Sequence, residues 1–150
     1  MEKGELSLIE ITILKFFHYI SLFLAGGLGV GNALLFKNHQ KAAVAPAAPV
    51  QKTMMTMARL GLLSLVVLWL TGIPLTYQVY GTFDLGWAFH LKLLGASTLL
   101  AAIVFLNYHL YVCSKAGDPV SPKVMRLIPV IARSSLFVVL LGVAILTTRV

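Results

Sequence analysis

The sequence predicts an all-α fold: an integral membrane four-helix bundle, up-down-up-down and antiparallel, with both termini outside. Three observations predict it. Of the 150 residues, 59% are hydrophobic and only 11% charged, whereas a soluble domain carries roughly 25% charged residues to face water. Apolar stretches long enough to cross a bilayer recur four times, and the connections between them are short. Strand-like alternation runs through none of them, which excludes a transmembrane barrel. The same composition excludes a disordered tail, a soluble enzyme and a nucleic-acid reader, so the net charge of +7 is read as loop asymmetry across a membrane.

The chain is read as one transmembrane domain over residues 1–150. A hydrocarbon core near 30 Å calls for about 20 residues of helix, and without water each span must close its backbone bonds internally. The first span covers residues 14–36. Glu2, Lys3 and Glu5 precede it instead of a basic leader, and it outruns a signal-peptide core, so it is expected to be retained. Ala25, Gly26, Gly27, Gly29 and Gly31 lie within it, small residues that let a helix backbone or a flat cofactor come close. A Pro/Ala linker over residues 37–52 follows, expected in the cytoplasm.

The second span covers 57–79, with Pro74 expected to kink it. A glycine-rich turn, Tyr80 to Gly86, leads to the third span at 87–112. Gly117, Pro119 and Pro122 then separate it from the last span at 127–148, where Pro129 is a second expected kink. Connections this short favour antiparallel neighbours.

Basic residues set the orientation. Lys37, Lys41, Lys52, Arg59, Lys115, Lys123 and Arg126 cluster at the first and third connections, against Lys3, Lys15 and Arg149 on the other side. The positive-inside rule puts the two basic connections in the cytoplasm. The setting read from this is a bacterial inner membrane, crossed several times.

A single cysteine, Cys113, excludes an internal disulfide, a four-thiolate metal site and a covalently attached c-type haem. Functional information therefore rests on ionisable residues inside the spans, which are costly there and usually face a partner. These are His18, His90, Lys92, His109 and Arg133. If Lys15 reaches the outer interface and Trp87 marks it on the third span, then His18 shares its depth with His90 or Lys92. Two such residues on different helices are what six-coordinate haem b ligation requires. His90 and Lys92 point to nearly opposite sides of their helix, so one of them at most faces His18. His109 lies 19 residues beyond His90, about 28 Å along the axis, and cannot share its iron. Arg133 has no intramembrane carboxylate to pair with, so a ligand is expected to supply the anion, a porphyrin propionate or a lipid phosphate. The competing assignments are a helix-to-helix hydrogen bond for His18, interfacial positions for His90, Lys92 and His109, and a snorkelling Arg133. His39 is read as a solvated loop residue.

The run GWAFHLKLLGASTLL followed by NYHLY resembles the signature of HemJ-type membrane proteins, within the broader set of CopD-like four-helix modules. KFFHYISLFLAGG in the first span, TMARL at the start of the second and RLIPV in the last extend the resemblance over most of the chain. It implies a haem b-binding bundle that oxidises protoporphyrinogen. By position it matches His18 to an essential first-helix histidine, Lys92 to a third-helix lysine and His109 to the histidine closing that helix. The family's tryptophan before Ala-Gly is Phe23-Leu24 here, the arginine after it is missing, and no Asn-Glu-x-Pro motif opens the last span.

The expectation is thus a haem b protein in electron transfer or porphyrin redox chemistry, with His18, His90, Lys92, His109 and Arg133 as cofactor-binding candidates and His18 and His90 as metal ligands. The alternative is a cofactor-free accessory subunit of a larger membrane complex. Expected partners are the lipid bilayer, and other membrane subunits or a second copy of the chain.

Overall fold

In so apolar a chain the backbone polar groups have to bond internally, and helices let them do so. A computed structural model describes residues 2–118 and 120–148, with side chains from Leu8 onward. Among the described residues the regular structure is all helical: α1 (Glu2–Lys41), α2 (Ala48–Tyr80), α3 (Trp87–Ala116) and α4 (Pro122–Thr147). All four are long and apolar enough to cross a membrane. Large apolar side chains such as Phe16, Phe23, Leu70, Leu94 and Phe137 stay exposed along them, as lipid contact requires.

The helices outrun the apolar stretches that announced them. α1 continues to Lys41 and α2 starts at Ala48, so the linker expected over 37–52 shrinks to residues 42–47. Hydropathy marks only the hydrocarbon part of a helix, and the ladder runs on where the sequence allows it. His39 and Lys41 suit the negative end of α1, and proline is tolerated in the first turn of α2. His39, expected in a loop, instead sits in the last turn of α1 with Nδ1 2.9 Å from the Leu35 carbonyl.

Gly81 (φ 68°) and Gly117 (φ 73°) end α2 and α3 in the left-handed conformation that glycine adopts freely. Pro122 opens α4, and Pro74 and Pro129 lie inside α2 and α4 without ending them. Pro119, expected to help separate the last two spans, and Arg149, part of the charge argument, lie outside the described residues.

α1 packs along α2 and α3 along α4. α2 touches α3 over a shorter length, and α1 scarcely meets α4. An apolar cluster of Ala102, Leu106 and Ile128, flanked by Leu110, Val124, Met125 and Ile131, joins α3 to α4. Asn32 Nδ2 donates to the Met54 carbonyl at 3.2 Å, and Asn107 Nδ2 to that of Ala58 at 3.3 Å, tying α1 and α3 to α2.

The glycines that admit a neighbouring helix are not the ones expected. A Cβ at Gly26, Gly27 or Gly29 would meet nothing within 4 Å, and one at Gly31 would meet only the Met57 methyl, at 3.0 Å. Close approach happens between α3 and α4 instead. A Cβ at Gly95 would lie 3.0 Å from the Ser135 carbonyl oxygen, and one at Gly142 3.0 Å from the Ala88 oxygen and from Lys92 N and Cβ. A dense glycine run signals a smooth helix face but not which way it turns, whereas these two isolated glycines lie where backbones meet.

Candidate functional site

Because α1 and α4 scarcely touch, the two helix pairs leave a cleft between them. It has a volume of about 720 Å³ and is lined by all four helices, within the usual range for small-molecule sites of about 300–1,000 Å³. Its wall is mostly apolar. Lys15, His18, Lys92 and Arg133 stand in it, and no carboxylate among the described residues does.

His18 is placed by α2. The Thr71 hydroxyl donates its one proton within its own helix, to the Val67 carbonyl at 2.7 Å, with Leu68 at 3.3 Å. Its oxygen can then only accept, so the His18 Nδ1 that lies 3.0 Å away carries a hydrogen and donates it. In the neutral ring this leaves the Nε2 lone pair unused, the arrangement by which a hydrogen bond on one nitrogen sets the other up as a ligand. Gly72 makes room for the ring, since a Cβ there would stand 3.2 Å from His18 Cε1. Nothing in the sequence pattern marks Thr71 and Gly72 as partners of His18; the signal was at most a small and a hydroxyl residue side by side at that depth.

Lys92 enters the same cleft from α3. Its root is pinned where α4 passes at Gly142. Its Nζ lies 5.9 Å from the centroid of the Phe89 ring, which is only 3% exposed. His90 is exposed, beside the Phe89 ring at 6.2 Å, and does not line the cleft. Two positions apart on a helix are about 200° apart around it, so only one of the pair can face inward.

Arg133 lines the cleft from α4. Its Nε donates to the Pro129 carbonyl at 3.0 Å, which steadies the side chain and leaves the outer guanidinium nitrogens for an anion. His109 lies away from the cleft. Its Nε2 accepts the N–H of Ser121, the residue that caps α4, at 3.2 Å, and its ring stacks on Phe105 and neighbours the Cys113 sulfur at 3.7 Å. It ties the end of α3 to the start of α4, a role no spacing in the sequence announces. The wall of the cleft thus includes His18, Lys92 and Arg133, and His90 and His109 lie outside it.

Comparison with known proteins finds no matching family model, no matching curated protein and no matching solved structure. The functional reading therefore stands on the cleft itself.

In Thr71→Val the hydroxyl that orients His18 is gone while the volume is kept. Loss of such an orienting partner typically weakens a metal site about 10–100-fold, so the affinity of His18 for any metal-bearing group is expected to fall by that much, read by titration of the purified protein with haemin.

Proposed function

We propose that the chain is a haem b-binding protein of a bacterial inner membrane, working in electron transfer or porphyrin redox chemistry, and a divergent relative of the HemJ-type and CopD-like modules. The observation that carries this is the His18 ring, held by Thr71 at Nδ1 with Nε2 unused, in one apolar cleft with Lys92. The donor set suits the group. A porphyrin brings four nitrogens of its own and asks the protein for one or two axial nitrogens, an apolar slot and a cation for its carboxylates. His18 supplies the first nitrogen. Lys92, as the free amine, is the candidate for the second in preference to His90, and Arg133 or Lys15 supplies the cation.

Haem, when bound, supplies reversible one-electron chemistry. The chain's own residues do the rest. Thr71 orients His18, Gly72 clears its ring, Phe89 and the leucine-rich wall keep water out, and Arg133 holds negative charge inside the bilayer.

In this reading the bundle runs up-down-up-down with both termini outside. The pairings of His18 with Thr71 and Asn32 with Met54, and of Gly142 with Ala88 and Gly95 with Ser135, support antiparallel neighbours. The lysine and arginine clusters at the first and third connections support the orientation. The His18 end of the cleft is then the outer end.

A second reading, a cofactor-free subunit that packs against a larger membrane complex or a second copy, draws on Gly27, whose open side lies outside the cleft.

Substitution at the three candidates on α3 tests the first reading. Lys92→Ala is expected to change the absorbance of the bound haem or lower its affinity about tenfold or more, as removal of a ligand or its immediate support does. His90→Ala and His109→Ala are expected to leave the spectrum unchanged. A spectrum that responds to His90→Ala and ignores Lys92→Ala would overturn the assignment.

A further inference from the structure

The cleft extends well past His18. Fourteen positions further along α1, about 21 Å at the helical rise, its wall carries Asn32 and, from α3, Asn107, with Gly29 and Gly61 beside them. Lys15 and Lys92 line the cleft on the His18 side, whereas Arg133, with Nε on the Pro129 carbonyl beside the contact of Ile128 with Leu106, stands between the two ends.

The two amides grip α2 about one turn apart, Asn32 Nδ2 on the Met54 carbonyl and Asn107 Nδ2 on that of Ala58. A carbonyl partner settles which end of the Asn32 amide is nitrogen, and the oxygen is left buried with no donor. A buried acceptor without a partner is expensive inside a bilayer, where water is not at hand, and points to a donor from outside the chain. The recess next to it is wide, because a Cβ at Gly29 or Gly61 would meet nothing within 4 Å. The gap between α1 and α4 opens it towards lipid.

We infer that this end of the cleft binds a membrane-soluble quinol, its flat ring in the glycine recess and one hydroxyl donating to Asn32 Oδ1. Oδ1 is covered, so taking the hydroxyl requires the amide to turn on its soft terminal torsion and exchange its bond to the Met54 carbonyl for the one to the ligand. The oxidised quinone offers only acceptors and leaves Oδ1 unpaired, so the site favours the reduced form. The site is built from residues distinct from His18 and Lys92, and the inference goes beyond the haem reading.

Equilibrium dialysis of the full chain in mild detergent tests it, with anaerobic decylubiquinol as the probe. The controls are its dimethyl ether, which keeps the ring and tail and lacks the donor, and diacylglycerol, a hydroxyl lipid without a ring. The quinol is expected to bind about tenfold or more tighter than the ether, as sites built around a ligand hydroxyl discriminate, and diacylglycerol is expected not to displace it. Asn32→Leu is expected to abolish the preference over the ether, and Gly61→Leu to weaken both ligands by filling the recess. Equal binding of quinol and ether to the unaltered chain, displacement by diacylglycerol, or full quinol binding in Gly61→Leu would overturn the inference. The ligand comparison stands even if a variant fails to fold. Haem content, read separately by absorbance in the same samples, keeps the two readings apart.

Discussion

His18→Ala is expected to leave the purified protein without haem while the chain still inserts and folds. The ring bonds to α2 from Nδ1 to Thr71 at 3.0 Å, and a bond of that kind contributes about 1 kcal/mol. The bundle therefore tolerates its loss. Haem does not: removing partners that only orient a ligand already costs about 10–100-fold in affinity, and His18 is the ligand itself in this account. The expected loss is more than about 100-fold, read as haem per chain after purification in mild detergent, with the elution profile as the check on folding. Haem retained near the level of the unaltered chain would move the axial position elsewhere.

The second large effect falls on stability. Gly95→Leu and Gly142→Leu are each expected to destabilise the bundle by about 1–3 kcal/mol or more, the usual range for overpacking. At Gly95 the added carbon would meet the Ser135 carbonyl oxygen at 3.0 Å, and at Gly142 the Ala88 oxygen and the Lys92 backbone at the same distance. Backbone cannot yield as a flexible side-chain tip can, so α3 and α4 have to separate. Gly142→Leu further displaces Lys92 and is expected to lower haem binding as well. Gly27→Leu is the control, since its Cβ meets nothing within 4 Å. Thermal unfolding in detergent should show two strongly destabilised variants and one close to the unaltered chain.

Those two glycines show where the sequence stops being legible. Hydropathy over about 20 residues locates a span, and the first three helices contain the stretches it marked, while α4 contains the last one up to Thr147. It says nothing about how a helix is rotated about its axis, which decides whether Gly27 or Gly95 meets a neighbour. The crowded α1 glycines drew the packing assignment, and the isolated ones on α3 and α4 carry the close approach.

The candidate site divides along the same line. Depth along an axis follows from residue counting, and counting put His18 level with His90 or Lys92. Opposition on a helix followed too, so that one of His90 and Lys92 had to face away. Which one did, and that Thr71 rather than a distant charge orients His18, depends on rotation and tertiary contact. His109 had the right residue type at a helix end, and its Nε2 is engaged by the Ser121 N–H. The unpaired oxygen of Asn32 was invisible for a further reason: an amide's satisfaction is a property of its surroundings, not of its spacing.

The central claim is that His18 and Lys92 share a cleft that holds haem b. A dithionite-reduced minus oxidised absorbance spectrum of the protein, purified in mild detergent from cells grown with ample haem, tests it most directly when haem is quantified against protein. The account predicts a b-type spectrum with close to one haem per chain. A featureless spectrum from well-folded protein would contradict it and leave the subunit reading, with its open Gly27 face, in its place.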